Sequence, residues 1–161
     1  MLFDFLKKSN KISVNSPVSG TVKNLSAVKD EAFSKGLLGN GLAVIPSSGE
    51  IYCPVDGTLV SVFPTGHAFG IRQENGVELI LHIGVDTVRL KGKGFNSKVK
   101  QDQSIKKGDL LTICDFQLIR DSGYETDVIL VVSNCSEDKM NFLVSENDKV
   151  DKTTDILEIS E

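Results

Sequence analysis

Several residue types and patterns are scarce in this 161-residue chain, and each scarcity excludes a class of function. The chain has no tryptophan, two histidines, three cysteines and four prolines. No apolar run approaches the roughly 20 residues of a membrane-spanning helix. The formal net charge is −4 and no basic stripe is present, which argues against nucleic-acid binding. An odd number of cysteines without paired spacing predicts a reducing, cytoplasmic setting rather than a disulfide framework.

The composition is that of an ordinary folded domain, with 40% hydrophobic and 25% charged residues. We expect residues 12–161 to form one domain. Residues 1–11 carry a short apolar stretch before two lysines. We interpret them either as an N-terminal tail that is frayed or docked on the domain, or as a short amphipathic segment that contacts membrane lipid.

Short strand-like segments recur about every ten residues, which predicts an all-β sandwich or barrel with only short helical turns. The predicted strands are 11–16, 20–24, 41–46, 50–53, 57–63, 67–73, 77–85, 95–97, 110–114, 127–133 and 142–143. Helical turns are expected within 29–38 and after an Asp115 N-cap.

A weak internal repeat accompanies the strands. Residues 16–22 (SPVSGTV) resemble residues 53–59 (CPVDGTL), and segments 99–111 and 144–157 form a fainter pair. Two duplicated halves would explain both pairs. Alternatively, Pro-Val-x-Gly-Thr is simply good turn chemistry.

Both histidines fall in one predicted hairpin, whose turn is Asn75-Gly76. A two-residue turn would pair residues whose numbers sum to 151, which places His82 opposite Phe69. The imidazoles of His67 and His82 would then be diagonal neighbours on one face, with Cα atoms roughly 7–8 Å apart. A three-residue loop would change the sum to 150 and is expected to send them to opposite faces.

In this register the hairpin has two distinct faces. The core face would carry Val62, Ala68, Val77, Leu79, Leu81, Ile83 and Val85. The other face would carry Phe63, Thr65, His67, Phe69, Ile71, Ile80, His82, Gly84, Asp86 and Val88. An apolar patch around polar groups predicts a docking surface if it is open to solvent. If a second layer covers it, the histidines are ordinary buried ones.

The available residues exclude several chemistries. A catalytic zinc usually has three protein ligands; a third histidine is absent, and Asp86 would be the remaining candidate. Neither a Gly-x-Ser-x-Gly elbow nor a phosphate-binding P-loop is present. An imidazole that takes up and releases a phosphoryl group remains, with the second histidine and a threonine donating hydrogen bonds to its oxygens.

Two long segments surround the histidines, residues 65–71 (TGHAFGI) and 76–88 (GVELILHIGVDTV). The same family resemblance is carried by four shorter segments, residues 32–34, 39–44, 54–57 and 90–95. From about residue 12 onward the chain resembles the glucose-family enzyme IIA domain of the bacterial phosphoenolpyruvate-dependent sugar phosphotransferase system. That family has an antiparallel β-sandwich with duplicated halves. Ile80 stands where the family often has an aromatic residue.

The resemblance implies a role for each site residue. His82 would accept a phosphoryl group on Nε2 from phospho-HPr and pass it to a IIB domain. His67 would contact the phosphoryl group, Thr65 would hydrogen-bond within the site, and the Gly84 carbonyl would hold Nδ1–H of His82. The residues expected to contact partners are Asp30, Phe33, Phe63, Phe69, Ile80, Asp86 and Val88.

The resemblance also implies a cytoplasmic, monomeric phosphotransferase component that uses a covalent phosphohistidine and no cofactor. Zinc held by His67 and His82 is compatible but not required. Membrane contact would come only through the permease or weakly through the N-terminus. Two other classes stay open: a zinc-dependent hydrolase using both histidines and a carboxylate, and a lipoyl- or biotinyl-type carrier, for which we find no suitably presented lysine.

Overall fold

The computed structural model describes residues 11–160, so the predicted N-terminal tail lies outside the described residues except for Lys11, where the first strand begins. The strands are β1 Lys11–Asn15, β2 Gly20–Asn24, β3 Asn40–Pro46, β4 Glu50–Tyr52, β5 Gly57–Val62, β6 Ala68–Arg72, β7 Glu78–Ile83, β8 Phe95–Ser97, β9 Ser104–Ile105, β10 Leu110–Cys114, β11 Val128–Val132, β12 Met140–Phe142, β13 Lys149–Val150 and β14 Asp155–Ser160. Every predicted strand is present within a residue or two. Three further strands, β9, β13 and β14, were not predicted.

The strands form three sheets in which each neighbouring pair is antiparallel. The large sheet has eight strands in the order β13-β2-β3-β11-β7-β6-β5-β9. Two three-stranded sheets, β1-β14-β12 and β4-β10-β8, complete the fold. The predicted all-β antiparallel architecture is therefore confirmed.

The repeat found in the sequence corresponds to repeated structure. In the sheet β1-β14-β12, the strand that comes last in the chain lies between the other two. The sheet β4-β10-β8 has the same arrangement. At the edges of the large sheet, Ile105 of β9 pairs with Gly57 of β5, and Val150 of β13 pairs with Gly20 of β2. The equivalent positions of these four residues favour duplicated halves over coincidental turn chemistry.

Among the residues that the structure describes, helix is limited to short elements between strands. Helix α1, Glu31–Ser34, begins at Asp30, whose side chain accepts a hydrogen bond from the Ala32 amide. Helix α2, Phe116–Asp121, begins at Asp115, which accepts from the Leu118 amide. Both are N-caps of the kind that aspartate favours. In residues 11–160, no helix is long and apolar enough to cross a membrane.

Two apolar clusters cover opposite faces of the large sheet. The main core lies against the inner face and includes Leu79, Leu81 and Ile83 of β7. A smaller cluster covers part of the outer face, where the chain between β2 and β3 packs on the sheet. Its members are Leu25, Val28, Phe33, Ala43, Val85, Ile129 and Val131. The outer face carries His82, and we call it the active-site face.

The predicted hairpin register is wrong by one residue. Ala68, not Phe69, pairs with His82, so paired numbers sum to 150. Gly76 has a φ of +91°, whereas Asn75 is not in the left-handed region. The connection is therefore a three-residue loop closed by a glycine, the second common hairpin geometry, rather than a two-residue type I′ turn.

The register change moves side chains between faces. Phe69 and Ile71 belong to the main core, at 1% and 0% exposure, instead of the face that carries the histidines. Ala68, which was expected in the core, shares a face with its partner His82 because paired residues point to the same side of a sheet.

The expectation that a sum of 150 separates the histidines is also wrong, since their ring centroids lie 5.1 Å apart. His67 precedes β6, so the side-chain alternation of a strand does not fix its direction.

Candidate active site

His82 lies near the end of β7, and its ring is fixed on several sides. The Phe33 ring packs against it with centroids 5.1 Å apart. Its Nδ1 lies 2.8 Å from the carbonyl oxygen of Gly84. Because a carbonyl only accepts hydrogen bonds, Nδ1 carries the proton and Nε2 of the neutral ring keeps its lone pair. The contact therefore selects the tautomer in which Nε2 is unprotonated and can act as a nucleophile.

Gly84 occupies a conformation and a space that suit glycine alone. Its φ is +76°, and an added Cβ would lie 2.4 Å from Cγ2 of Thr87 and 2.8 Å from the Glu125 carbonyl oxygen. Its amide donates to the Asp127 carbonyl at 2.7 Å. The sequence analysis missed Asp127, because no sequence pattern reveals a supporting contact made through a backbone carbonyl.

His67 reaches the site from the turn before β6. This turn contains Gly66 with a φ of +75°. His67 Nδ1 lies 2.5 Å from Oγ1 of Thr65. Its ring meets the ring of Phe63 edge to face, with centroids 5.3 Å apart. The two imidazoles are T-shaped, with an interplanar angle of 81°. The structure thus brings together the predicted residues His82, His67, Thr65 and Gly84.

Burial favours the neutral form of both imidazoles. It lowers the pKa of His67 from 6.5 to about 4, and the nearby His82 lowers it further in the same direction. Burial also lowers the pKa of His82, while the Gly84 hydrogen bond and the carboxylates of Asp30 and Asp86 oppose that shift. A neutral ring is required for Nε2 to attack an electrophile.

The rim of the site combines exposed apolar groups with acids. Phe63 is 46% exposed and Val88 51% exposed. Asp86 is exposed, while Ile80 and Asp30 are half-buried. An exposed apolar surface next to a reactive group is suited to a protein partner.

Two residues expected at the partner surface are placed differently. Phe69 is 1% exposed and packs in the main core, so the prediction that it contacts a partner is wrong. Phe33 is 3% exposed and supports the His82 ring from within the protein. Its side chain therefore offers a partner almost no surface.

An apolar hollow of about 390 Å³ opens beside His82. Small residues such as Ser61, Ala68 and Gly70 form part of its lining. A larger concavity of about 750 Å³ lies near α2 and Arg120, but it contains neither histidine. We assign the site to the His82 side of the smaller hollow, because His82 belongs to its lining and His67 lies beside His82.

Across residues 11–160, no group of three or more histidine, cysteine, aspartate or glutamate side chains is arranged to hold a metal ion. A resident catalytic zinc ordinarily has three protein ligands, so the described residues do not fit one.

Comparisons with known proteins agree on one family. The model of the phosphoenolpyruvate-dependent sugar phosphotransferase system, EIIA 1, matches residues 12–138. The glucose-specific EIIA component of Bacillus cereus is 38% identical over 133 residues, which cover 83% of this chain and 81% of that relative. The beta-glucoside-specific EIIBCA component of Halalkalibacterium halodurans is 44% identical over 124 residues, which cover 77% of this chain and 20% of that protein.

A solved structure shows the same architecture. The glucose permease IIA of Mycoplasma capricolum matches with a TM-score of 0.85 and 36% identity. The match covers 92% of this chain and 96% of that chain.

The fold and the site together define an antiparallel β-sandwich protein with paired histidines on one sheet face. With the family match and these identities, the chain belongs to the EIIA 1 family of the phosphoenolpyruvate-dependent sugar phosphotransferase system. It is a phosphotransferase component of that system.

Proposed function

We propose that His82 carries the phosphoryl group and holds it on Nε2. The observation that carries this proposal is the 2.8 Å contact between His82 Nδ1 and the Gly84 carbonyl, which leaves the Nε2 lone pair free. The second imidazole lies close enough to contact the same group, with ring centroids 5.1 Å apart.

The transfer step needs little beyond positioning. The Nε2 lone pair of neutral His82 forms a bond to phosphorus as the bond from phosphorus to the donor breaks, and the donor leaves with that electron pair. The His82 ring then carries positive charge with its proton still on Nδ1. The Gly84 carbonyl stabilises that proton, since hydrogen bonds to charged groups are the stronger ones. Onward transfer reverses these changes.

His67 stabilises the phosphoryl oxygens in this proposal. When the Thr65 hydroxyl donates to His67 Nδ1, the proton of the neutral ring resides on Nε2, which can then donate to a phosphoryl oxygen. Thr65 thus acts on the tautomer of His67 as Gly84 acts on that of His82.

The partners we propose are phospho-HPr as donor and a IIB domain as acceptor, in the cytoplasm. The EIIBCA relative supports the IIB partnership, because its name places EIIA and EIIB in one polypeptide. The exposed Phe63 and Val88 provide an apolar contact area, and the acidic Asp30 and Asp86 suit a cationic rim on a partner. We propose that the chain works as a monomer without a cofactor, on a glucose-type or β-glucoside sugar route.

The proposal is tested by phosphoryl transfer from labelled phospho-HPr to three proteins: wild type, His82→Gln and His67→Gln. We expect His82→Gln to take up no label because its nucleophile is absent. His67→Gln should take up label but pass it to a IIB domain about 10²-fold or more slowly, since one group that stabilises the transferring phosphoryl is lost.

Labelling of folded His82→Gln would contradict the assignment. Circular dichroism provides the folding control for both variants. Hydrolytic activity that requires added zinc, together with no phosphoryl uptake by the wild type, would favour the metal-dependent alternative instead.

A further inference from the structure

A partly buried ion pair lies beside the loop that carries Gly84. Lys23 Nζ is 2.8 Å from Asp127 Oδ2, and the two side chains are 19% and 5% exposed. A nearby pair, Lys29 with Glu125 at 3.1 Å, is far more accessible, at 73% and 44%. Moving two charges out of water costs free energy, and only good geometry offsets that cost. Stability alone therefore does not account for an ion pair at this depth.

The strand register places this pair on the active-site face. Lys23 of β2 pairs with Ala43 of β3, Ala43 with Ile129 of β11, and Ile129 with His82 of β7. Directly paired residues point to the same side of a sheet, so Lys23 and His82 share one face and one row. The small Ala43 side chain between them leaves space for the lysine to reach across β3 to Asp127.

Asp127 also supports the loop after β7 through its main chain. Its carbonyl oxygen accepts the Gly84 amide at 2.7 Å. The Gly84 carbonyl in turn accepts from His82 Nδ1 at 2.8 Å. Asp127 therefore joins Lys23 through its side chain to Gly84 through its carbonyl.

We propose that the Lys23–Asp127 ion pair is a positioning element that fixes Gly84 and thereby keeps the His82 proton on Nδ1. This inference rests on the proposed function of His82 and adds two residues to it. Neither side chain reaches the reacting atoms. An apolar pair could fill the same space, but it would lack the directional bond that fixes Asp127 relative to β2.

The test compares Lys23→Met and Asp127→Asn with Lys23→Arg, which retains the cation, and with Lys29→Met, which breaks the exposed pair. Nitrogen-15 NMR of the unphosphorylated proteins reports which imidazole nitrogen of His82 carries the proton. Stopped-flow labelling reports the rate of phosphoryl acceptance.

In Lys23→Met and Asp127→Asn we expect the protected Nδ1–H signal of His82 to be lost. We also expect acceptance to slow about tenfold, because small misplacements of a reacting group are costly. Lys23→Arg and Lys29→Met should retain the wild-type signal and rate.

Folded Lys23→Met and Asp127→Asn proteins with the wild-type Nδ1–H signal and acceptance rate would overturn the inference. If the single variants do not fold, the double variant Lys23→Met/Asp127→Leu removes both charges and undergoes the same two measurements, with the same expected and contrary results. The NMR signal does not require phosphorylation. Failure of the wild type to take phosphoryl on His82 would therefore contradict the proposed function separately.

Discussion

Each imidazole of the site has one nitrogen occupied by a neighbouring group and one nitrogen available. His82 Nδ1 is bonded to a carbonyl, and His67 Nδ1 to a hydroxyl. The carbonyl fixes the role of His82, because it cannot donate. The hydroxyl of Thr65 can donate or accept, so His67 can adjust its tautomer when the site receives a phosphoryl group.

The lowered pKa of His67 predicts that stability depends on pH. Its folded value of about 4 lies below its ordinary value of 6.5, so the unfolded state binds more protons between these values. The resulting stabilisation is fully present above pH 6.5 and is lost as pH falls through 4. The loss amounts to at most about 3 kcal/mol in the free energy of unfolding, because solvent screens part of the effect.

Urea unfolding between pH 7.5 and 4 measures this dependence. The His67→Gln variant is the control, because it lacks the titrating ring. Its stability should decline less steeply with acidification than that of the wild type, the remainder coming in part from His82, whose pKa is lowered too. Identical pH profiles for the two proteins would contradict the assigned environment of His67.

At the scale of elements, the loop after β7 constrains the His82 ring more than strand β7 itself does. Gly84 and Gly76 both have positive φ, at +76° and +91°. An added Cβ at Gly84 collides with Thr87 and the Glu125 backbone, whereas at Gly76 it meets nothing within 4 Å. The two glycines therefore form a matched pair, one crowded and next to His82, the other open and distant from it.

We predict that Gly76→Ala destabilises the protein by only about 1–2 kcal/mol, the cost of a left-handed residue, and leaves phosphoryl acceptance unchanged. Gly84→Ala should cost more, because steric overlap adds to that strain. It should also slow acceptance, because the carbonyl that holds His82 Nδ1 is displaced. Thermal unfolding and stopped-flow labelling measure both effects. Equal behaviour of the two variants would show that Gly84 has no special role.

The hairpin turn shows how far sequence reasoning reaches at this scale. Asn75-Gly76 identified the hairpin and its two strands correctly. The same dipeptide suits both a two-residue turn and a three-residue loop, so it does not fix the register. The three-residue loop forms because it allows Phe69 and Ile71 to be buried in the main core. The hairpin sequence alone does not show this, because the core is completed by other strands.

The convergence of the histidines was predicted correctly for a reason that proved wrong. Their closeness does not come from strand pairing, because His67 lies just outside β6. The family resemblance carried the site assignment, whereas the deduced register placed Phe69 on the wrong face.

At the scale of the whole molecule, sequence periodicity was sufficient for the all-β class, whereas the similar segments left duplicated halves as one of two interpretations. It was not sufficient for contacts between distant segments. The packing of Phe33 on His82 and the pairing of Lys23 with Asp127 join residues far apart in the chain. Such contacts depend on strand order, which local patterns do not encode.

The distribution of exposed aromatic residues predicts where partners bind. Phe63 is 46% exposed beside His67, and Phe142 is 37% exposed on β12 of a three-stranded sheet. We expect Phe63→Ser to raise the KM for phospho-HPr about tenfold or more, because aromatic anchors dominate such interfaces. Phe142→Ser, with similar exposure, is the control and should leave KM unchanged. An effect of Phe142→Ser equal to that of Phe63→Ser would place the docking surface elsewhere.

The most direct test of the whole account is to locate the phosphoryl group on the protein itself. Wild-type protein is labelled with phospho-HPr and studied by phosphorus-31 and nitrogen-15 NMR under conditions that preserve phosphohistidine. The account predicts a single phosphohistidine with phosphorus bonded to Nε2 of His82 and the proton retained on Nδ1. Phosphorus on His67, or on Nδ1 of His82, would contradict it.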